Sequence, residues 1–385
     1  MRAASTSTNP VYVDPIDGST YPIEVPRWRS DSGRPLMISD GAGLGRDEIE
    51  TGVRSLWRYA AALPIAVPAP VSLGEGVTPL VERPFGDGRA LFKLEWFAPT
   101  GSFKDRGASV MVSVLRQQGI VRILEDSSGN GGSAIAAYAA AAGIGAKIVA
   151  PASTQPGKIV QTRAHGAEVE LIPGTRQDTA DAAVRQAETL FYASHNWQAF
   201  FLQGTKTVAY ELWEDLGFRA PDNIVIPTGA GSNVLGCDIG FGELLRRGAI
   251  DRSPRLFAVQ PHNCAPIAAS IAAGSDDVIA GGLVAPTIAE GAAIARPVRP
   301  REVLAALRRS GGGAVAVSED EIAAAVFALA GQGLYAEPTS AMAAAGLARL
   351  WASGTIDPRE TTVVLLTGTG AKATPKIAEL LEARA

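Results

Sequence analysis

The stretch Pro99-Thr-Gly-Ser-Phe-Lys-Asp-Arg-Gly107 directly follows an apolar run, Leu91-Phe-Lys-Leu-Glu-Trp96, that is typical of a buried strand. Gly101 permits a tight turn, and Ser102 is a candidate N-cap for the helix predicted next. Lys104 is therefore expected in the first helical turn, where burial and the positive partial charges of the helix N-terminus favour its neutral amine. A neutral amine can attack an aldehyde and form a Schiff base. For an isolated Ser-x-Lys-Asp string, the alternative is an ordinary surface lysine at a helix start.

Two glycine-rich segments each follow a predicted strand and precede a predicted helix. They are Asp126-Ser-Ser-Gly-Asn-Gly-Gly132 and Pro227-Thr-Gly-Ala-Gly-Ser-Asn-Val234. Backbone N–H groups at helix starts suit anions, and we expect a carboxylate at the first segment and a phosphate at the second. The second segment lacks the Gly-Lys-Ser/Thr ending of a nucleotide loop, so a phosphate on a small cofactor fits better than a nucleotide. Alone, each segment is equally compatible with a turn that binds no ligand.

A third segment, Leu366-Thr-Gly-Thr-Gly-Ala-Lys372, comes at the end of the apolar run Thr362–Leu366. It places hydroxyl groups at the carboxyl edge of a predicted sheet, where α/β enzymes bind ligands. Thr367 is suited to hydrogen-bond a neutral pyridine nitrogen, whereas a carboxylate there would hold that nitrogen protonated. The alternative is a loop whose threonines only cap a helix.

Apolar runs alternate with alanine-rich helical runs from Thr78 onward. The predicted strands are Ala90–Trp96, Arg122–Asp126, Ala146–Ala150, Glu168–Ile172, Asn223–Pro227, Arg255–Gln260 and Thr362–Leu366. The predicted helical runs include Glu48–Leu63, Lys104–Gln118, Ser133–Ala142, Lys158–His165, Thr179–Leu190, Thr207–Leu216, Val234–Arg247, Asp320–Ala330 and Thr339–Ala352. Continuously apolar strands separated by helices predict parallel sheets covered on both faces. Because so many units exceed one compact domain, we predict two α/β domains with a cleft between them.

Composition excludes several classes of function. The 385 residues are 46% hydrophobic and 19% charged, with a net charge of -4, so a nucleic-acid partner is not expected. Two cysteines form neither a disulfide framework nor a zinc quartet, and they favour a reducing cytoplasm. The first residues lack the apolar run of a signal peptide. The apolar stretch Ala134–Ala150 is broken by Gly143, Gly145 and Lys147, which predicts a buried helix and strand rather than a membrane span.

In the order PTGSFKDRG, SSGN, TGAGSN, EPTSA (Glu337–Ala341) and LTGTGAK, these motifs resemble a fold-type II pyridoxal-phosphate (PLP) enzyme, and within that group threonine synthase. The resemblance covers Gly74–Ala385 and implies two three-layer α/β/α domains with PLP in the cleft between them. It implies a Schiff base on Lys104. The other implied cofactor contacts are Phe103 near the ring, Asn130 at the phenolic oxygen, Gly229, Ala230, Gly231, Ser232 and Asn233 at the phosphate, and Thr367 at the ring nitrogen. The implied substrate contacts are Ser127, Ser128, Gly129 and Lys206, and no metal site is implied.

One segment departs from the threonine synthase pattern. Relatives carry Asn-Ser-x-Asn-Pro-Tyr-Arg before Glu-Gly-Gln-Lys, whereas this chain has Ser194-His-Asn-Trp-Gln-Ala-Phe-Phe-Leu-Gln-Gly-Thr-Lys206. Phe201 stands where the arginine would lie, although a bidentate arginine best suits a phosphorylated substrate. The acidic residue expected after Lys372 is also missing, since Ala373 follows it. The candidates to replace the arginine are Lys158, Arg163, Arg296 and Arg299.

The N-terminal extension resembles the zinc ribbon of some relatives but contains no cysteine, so thiolates cannot hold zinc there. We predict a metal-free ribbon or an ordered arm packed on the large domain. Of the three histidines, only His195 lies in the divergent segment, where it could contact substrate. The alternative for each histidine is a loop or core residue. Glu337 is expected either to cap a helix or to face the cofactor ring.

The predicted domains are an N-terminal extension (1–73), a large PLP-binding domain (74–105 and 206–385) and a small mobile domain (106–205). The first functional hypothesis is a lyase that converts O-phosphohomoserine to threonine, with Lys104 as general base at Cα. The second is a β-eliminating or β-replacing enzyme acting on serine, threonine or a related amino acid, with Phe200 and Phe201 lining the pocket. The third is a PLP-fold protein that binds a ligand without turnover, and the intact Lys104 argues against it. The resemblance also implies a homodimer.

Overall fold

The computed structural model describes residues 9–86, 88–154, 156–174, 176–279 and 282–384. Its strands are β1 (Val11–Val13), β2 (Thr20–Pro22), β3 (Met37–Ile38), β4 (Leu80–Phe85), β5 (Gly88–Leu94), β6 (Arg122–Glu125), β7 (Gly145–Pro151), β8 (Glu168–Ile172), β9 (Phe191–Tyr192), β10 (Asn223–Pro227), β11 (Arg255–Pro261), β12 (Gly313–Val317) and β13 (Thr362–Leu366). Its α-helices are α1 (Lys104–Gln117), α2 (Asn130–Ala142), α3 (Pro156–Ala164), α4 (Arg176–Gln186), α5 (Ala199–Thr205), α6 (Thr207–Asp215), α7 (Ser232–Arg246), α8 (Pro266–Ala272), α9 (Pro300–Arg309), α10 (Glu319–Ala330), α11 (Pro338–Ala352) and α12 (Thr374–Arg384).

The larger sheet has six strands in the order β12-β11-β10-β13-β5-β4, and every neighbouring pair is parallel except β4 and β5. Successive residues of β10 pack into different cores, because Ile224 and Ile226 join one hydrophobic cluster while Val225 joins the other. β13 alternates in the same way. Helices therefore cover both faces of this sheet, as predicted for continuously apolar parallel strands.

The smaller sheet has four parallel strands in the order β8-β7-β6-β9. Its faces are also covered separately, since Ile123 and Ile148 pack in one cluster and Leu124 and Val149 in another. A third sheet, β2-β1-β3, is antiparallel and belongs to the N-terminal extension. The architecture confirms the prediction of two α/β layered units preceded by an extension. The domain boundaries drawn from the sequence stay a prediction.

All seven predicted strands are confirmed, and the eight predicted helices from Lys104 onward begin within about three residues of the observed starts. The prediction of a helical stretch at Glu48–Leu63 is wrong. Two short 3-10 segments, Arg46–Glu48 and Leu56–Ala62, lie there instead, and the second is interrupted at Tyr59. Six strands of the described residues were not predicted, namely β1, β2 and β3 of the N-terminal extension together with β4, β9 and β12. β9 has only two residues, so it carries no periodic signal.

A buried cluster of charges fixes the start of α1 below the carboxyl edge of the larger sheet. Arg106 is almost fully buried, and its guanidinium donates to Glu95 at 2.7 Å and to Glu211 at 2.9 Å. The two carboxylates hold the pKa of Arg106 well above its ordinary value against the effect of burial. Lys93, which lies on β5, also pairs with Glu211 at 2.6 Å. Because removal of one partner would leave a buried charge unpaired, this cluster holds α1 in one position.

In the described part of the chain, each helix is too short or too polar to cross a membrane.

Candidate active site

Three loops meet at the carboxyl edge of the larger sheet because they follow three adjacent parallel strands, β5, β10 and β13. The loops after β5 and β13 are joined by backbone hydrogen bonds. The amide of Phe103 donates to the carbonyl of Thr367 at 2.9 Å, and the amide of Thr369 donates to Gly101 at 3.2 Å. These bonds hold the loop that precedes Lys104 next to the 366–372 loop.

Lys104 is the first residue of α1 and is half-buried, as predicted. Its Nζ lies 4.5 Å from the centroid of the Phe103 ring and 5.7 Å from that of Phe201. The next residue, Asp105, accepts from the backbone amide of Thr100 at 3.0 Å and from its hydroxyl at 2.6 Å. Burial raises the pKa of Asp105 to about 6. The residues around Lys104 are thus anchored on both sides, while its amine faces two aromatic rings.

The structure contradicts the prediction that Ser102 is the N-cap of α1. Phe103 occupies the N-cap position of α1, and no side chain caps the helix. Ser102 instead pairs with Gly368 in an isolated bridge. Its hydroxyl is buried and has no hydrogen-bond partner among the described residues. A buried hydroxyl without a partner is uncommon and suggests that a ligand completes the site.

The 227–233 loop ends at the N-terminus of α7, where no described side chain caps the helix. Gly231 has a φ of +92°, which side chains rarely adopt, and a Cβ there would clash with Val303. Uncapped N–H groups at the first turn, combined with the helix dipole, suit a phosphate. These features support the phosphate contact predicted for this loop, which stays a prediction.

Hydroxyl and amide groups converge beside the 366–372 loop. The hydroxyls of Thr367 and Ser340 lie 3.0 Å apart, and Ser340 also accepts from the amide of Gly368 at 2.6 Å. Nδ2 of Asn130 donates to Oε1 of Glu337 at 3.0 Å. Glu337 occupies the N-cap position of α11 but makes no side-chain cap, so its carboxylate is directed to Asn130 instead. Through Glu337, Asn130 lies beside the loop that contains Thr367, and the cofactor contacts implied for these two residues stay a prediction.

Ser127, Ser128 and Gly129 lie between β6 of the smaller sheet and the start of α2. Ser127 is buried, whereas Ser128 is half-buried. The amide of Gly129 donates to the Ser127 hydroxyl at 3.4 Å, which tightens the turn. Because this loop belongs to the smaller sheet, residues from both sheets contribute to one cleft.

Lys372 also spans the two parts and was not predicted as a site residue. Its Nζ donates to the carbonyl of Thr100 at 2.8 Å and to the hydroxyl of Ser133 on α2 at 2.9 Å. Burial lowers the pKa of this amine. The available signal was its position at the end of the LTGTGAK motif, which does not specify a partner so distant in sequence.

The structure also contradicts the predicted substrate contact of Lys206, because this side chain does not lie in the cleft. Its side chain is fully buried, and Nζ donates to Glu243 at 2.8 Å and to the carbonyl of Ala62 at 2.7 Å. Burial lowers the pKa of Lys206. The ammonium therefore binds acceptors in the core between α6, α7 and the N-terminal extension, and it does not contact the proposed substrate site.

The residues proposed to replace the missing arginine lie in different surroundings. Arg163 and Arg296 are exposed, and the side chain of Lys158 lies outside the described residues. Arg299 is buried, and its guanidinium donates to the carbonyls of Leu36 at 2.7 Å and Trp197 at 2.6 Å. Burial lowers the pKa of Arg299 to about 10. Arg299 therefore contacts the divergent segment at Trp197.

The described residues fit PLP. A half-buried primary amine, an uncapped helix N-terminus and a buried hydroxyl pair stand at one edge, matching an aldehyde, a phosphate and a pyridine nitrogen. Together with two α/β units around a cleft, this set of groups defines the class of fold-type II PLP enzymes.

Comparison with known proteins agrees. The family described as "pyridoxal-phosphate dependent enzyme" matches residues 71–368, and the chain belongs to it. A threonine synthase from Methanosarcina acetivorans is 35% identical over 84% of this chain and 82% of its own length. Another, from Methanocaldococcus jannaschii, is 35% identical over 92% of this chain and 91% of its own. The chain is thus a PLP-dependent lyase similar to threonine synthase.

Among solved structures, the processed form of threonine deaminase isoform 2 from Solanum lycopersicum superimposes with a TM-score of 0.66. It is 25% identical, and the match covers 79% of this chain and 87% of that one. The fold class and the cofactor predicted from the sequence are therefore confirmed, and an amino-acid substrate is consistent with these relatives.

Proposed function

We propose that this enzyme converts O-phosphohomoserine to threonine and phosphate by β,γ-elimination and addition of water. The observation that carries the proposal is the meeting of Lys104, the uncapped N-terminus of α7 and the Thr367–Ser340 hydroxyl pair at one edge of the larger sheet. Support for the substrate comes from relatives named threonine synthase that match over most of this chain.

In this proposal, Lys104 carries the cofactor and Phe103 packs near its ring. N–H groups of Gly229, Ala230, Gly231, Ser232 and Asn233 bind its phosphate. Thr367 faces the ring nitrogen, and Asn130, oriented by Glu337, faces the phenolic oxygen. When bound, PLP supplies a conjugated ring that stabilises negative charge at Cα. Because Thr367 presents a hydroxyl and not a carboxylate, it does not hold the ring nitrogen protonated.

Lys104 is proposed as the general base that takes the proton from Cα and returns it later. Its half-burial and its place at the N-terminus of α1 both favour the neutral amine that this task requires. Amide groups of Ser127, Ser128 and Gly129 are proposed to bind the substrate carboxylate and to orient Cα toward Lys104. Anchoring of Asp105 and Arg106 fixes the direction from which the amine approaches.

The small domain (106–205) is proposed to close over the substrate and exclude water. Two hydrogen bonds that would form part of this closure join the two sides of the cleft, one from Asn130 to Glu337 and one from Lys372 to Ser133. Crystal structures with and without substrate would test it, because identical domain positions would contradict closure. A cytoplasmic homodimer without a nucleic-acid or membrane partner is part of the same proposal, and light scattering of the purified protein would test the dimer.

A second candidate function is β-elimination from serine, threonine or a related amino acid. One observation favours it: Phe201, at the position of the expected arginine, is fully buried and lies near Lys104. A phenyl ring cannot bind a second phosphate. The similarity to a solved threonine deaminase points in the same direction.

One experiment separates the two candidates. Phosphate release from O-phosphohomoserine is measured beside ammonia and 2-oxoacid release from serine and threonine, with the PLP-loaded enzyme. We expect phosphate release to be the faster reaction. Faster release of 2-oxoacid would favour the second candidate. Absence of both would contradict a catalytic role and favour ligand binding without turnover.

A further inference from the structure

A carboxylate–imidazole pair lies at the end of the smaller sheet. Glu125 ends β6 and His195 follows β9, and these adjacent strands are parallel, so their carboxyl ends meet. Oε1 of Glu125 lies 2.7 Å from Nδ1 of His195, and Oε2 accepts from the backbone amide of His195 at 2.9 Å. Both side chains are buried. Since an ionised carboxylate can only accept, Nδ1 carries hydrogen, and a proton exchanged with a substrate would pass through Nε2.

The imidazole lies close to the 126–132 loop and to Phe201, which is near Lys104. A Cβ at Gly131, next to Asn130, would lie 2.7 Å from Nδ1 of His195 and 2.9 Å from the Ser127 hydroxyl, so the 126–132 loop touches the ring. The centroid of the His195 ring is 5.7 Å from that of Phe201, and the Phe201 centroid is 5.7 Å from Nζ of Lys104. Phe201 is therefore a neighbour of both His195 and Lys104.

A cavity of about 10 Å³, sufficient for one water-sized group, has His195, Arg299, Ala230 and Ser232 among its lining residues. Arg299 cannot give up a proton near neutral pH, and Phe201 has no proton to exchange. His195 is the residue of this group that can both donate and accept a proton under ordinary conditions. A carboxylate that orients an imidazole is the arrangement found where histidine acts in proton transfer.

We propose that the Glu125–His195 pair is the acid–base group for the oxygen bonded to Cβ of the substrate. This inference rests on the proposed function and adds a second proton-transfer residue to Lys104. It applies to both candidate reactions, because water addition at Cβ and hydroxyl loss from Cβ are the same step in opposite directions.

In the elimination direction, Lys104 takes the Cα proton, and the electron pair left on Cα forms the Cα–Cβ double bond. The Cβ–O bond breaks with its electron pair on oxygen, and protonated His195 donates the Nε2 proton to that oxygen, so water leaves. In the addition direction, neutral Nε2 takes one proton from water while the water oxygen bonds to Cβ. Lys104 then returns its proton to Cα, and Nδ1 keeps its hydrogen, which it donates to Glu125, throughout.

The test separates the Cα step from the Cβ step in the PLP-loaded wild type and in His195→Asn. Exchange of the Cα proton for deuterium in D2O, followed by NMR, reports on Lys104. Incorporation of ¹⁸O from labelled water into the Cβ hydroxyl, or 2-oxoacid formation from serine, reports on the Cβ–O bond. We expect His195→Asn to slow the Cβ step by about 10²–10⁴-fold and to keep Cα exchange within about threefold. The inference would be overturned if His195→Asn left both steps at the wild-type rate, or if it slowed both steps to the same extent.

Two further variants complete the design. Glu125→Gln should remove the preference for hydrogen on Nδ1, seen in ¹⁵N spectra of the imidazole, and should slow the Cβ step about tenfold. An unchanged ¹⁵N pattern would contradict the pairing without any measurement of turnover. His262→Asn is the matched control, because His262 is exposed and remote from these loops in sequence. If the wild type turns over no substrate, the proposed function fails, and this role with it. If it is active and His195→Asn matches it, the role alone fails.

Discussion

The two walls of the cleft are built in different ways. On the proposed cofactor wall, Lys104, Thr367 and the 227–233 loop follow adjacent strands of one sheet, and backbone hydrogen bonds join the loop before Lys104 to the loop that contains Thr367. On the proposed substrate wall, residues 192–201, which overlap the divergent segment 194–206, pack against the N-terminal extension. The ring centroid of Trp28 lies 5.0 Å from that of Tyr192 and 5.2 Å from that of Trp197.

The comparison shows which part of the site can change independently. The cofactor wall depends on backbone geometry within a few residues of each motif, so its motifs keep a recognisable order. The substrate wall depends on side chains from distant parts of the chain, including Tyr12, which packs edge-on against Phe200 at 5.8 Å. We therefore expect variants of the cofactor wall to alter PLP binding, and variants of the substrate wall to alter KM while PLP affinity stays the same.

Lys104→Ala should have the largest effect, since it removes the amine proposed to carry the cofactor and to serve as base at Cα. We expect turnover to fall by about 10³-fold or more. Borohydride reduction followed by peptide mass spectrometry should label Lys104 in the wild type and leave the variant unlabelled. Lys376→Ala, at a surface ion pair with Glu379, is the control and should behave as the wild type. Label on another lysine of the wild type would contradict the assignment of the whole wall.

Gly231→Ala should come next. Its φ of +92° strains any side chain, and Val303 occupies the space that a Cβ needs. We expect PLP to bind at least about tenfold more weakly, measured by titration of the apoenzyme. Gly354→Ala carries similar backbone strain, with a φ of +68°, but has nothing within 4 Å of the new Cβ. It should lose stability without losing PLP affinity, and equal losses in both variants would show that strain alone is responsible.

Ser340→Ala should have a smaller effect on the same wall. Ser340 holds Thr367 and the amide of Gly368 through one hydroxyl, so its removal frees the group proposed to face the ring nitrogen. Loss of about 1 kcal/mol predicts roughly fivefold weaker PLP binding, together with a shift of the cofactor absorbance. Ser353→Ala, at the far end of α11, is the control. An unchanged spectrum would indicate that Thr367 is positioned by the backbone alone.

Local sequence was sufficient for the cofactor wall and insufficient for the substrate wall. Lys104, Thr367 and the 227–233 loop each lie beside a strand that periodicity identifies, so their meeting follows from the sheet order. Lys206 was assigned to the substrate because of its neighbours in sequence, although Glu243 and Ala62, which are 37 and 144 residues away, hold it in the core. The pairing of Glu125 with His195 spans 70 residues and depends on β9, a strand of two residues. Such partners are set by tertiary packing, which no local pattern records.

Trp28→Ala is the smallest predicted effect and tests the difference between the walls most directly. Trp28 is half-buried between Tyr192 and Trp197, and its loss removes two edge-on aromatic contacts, each worth about 1 kcal/mol. The backbone of the divergent segment should then be less fixed, and we expect KM to rise about threefold to tenfold with PLP affinity unchanged. Trp351→Ala, which removes a half-buried indole near Phe85 on the larger sheet, is the matched control and should lower stability without changing KM. If Trp28→Ala weakened PLP binding as much as substrate binding, the extension would support both walls, and the substrate wall would not be an independent unit.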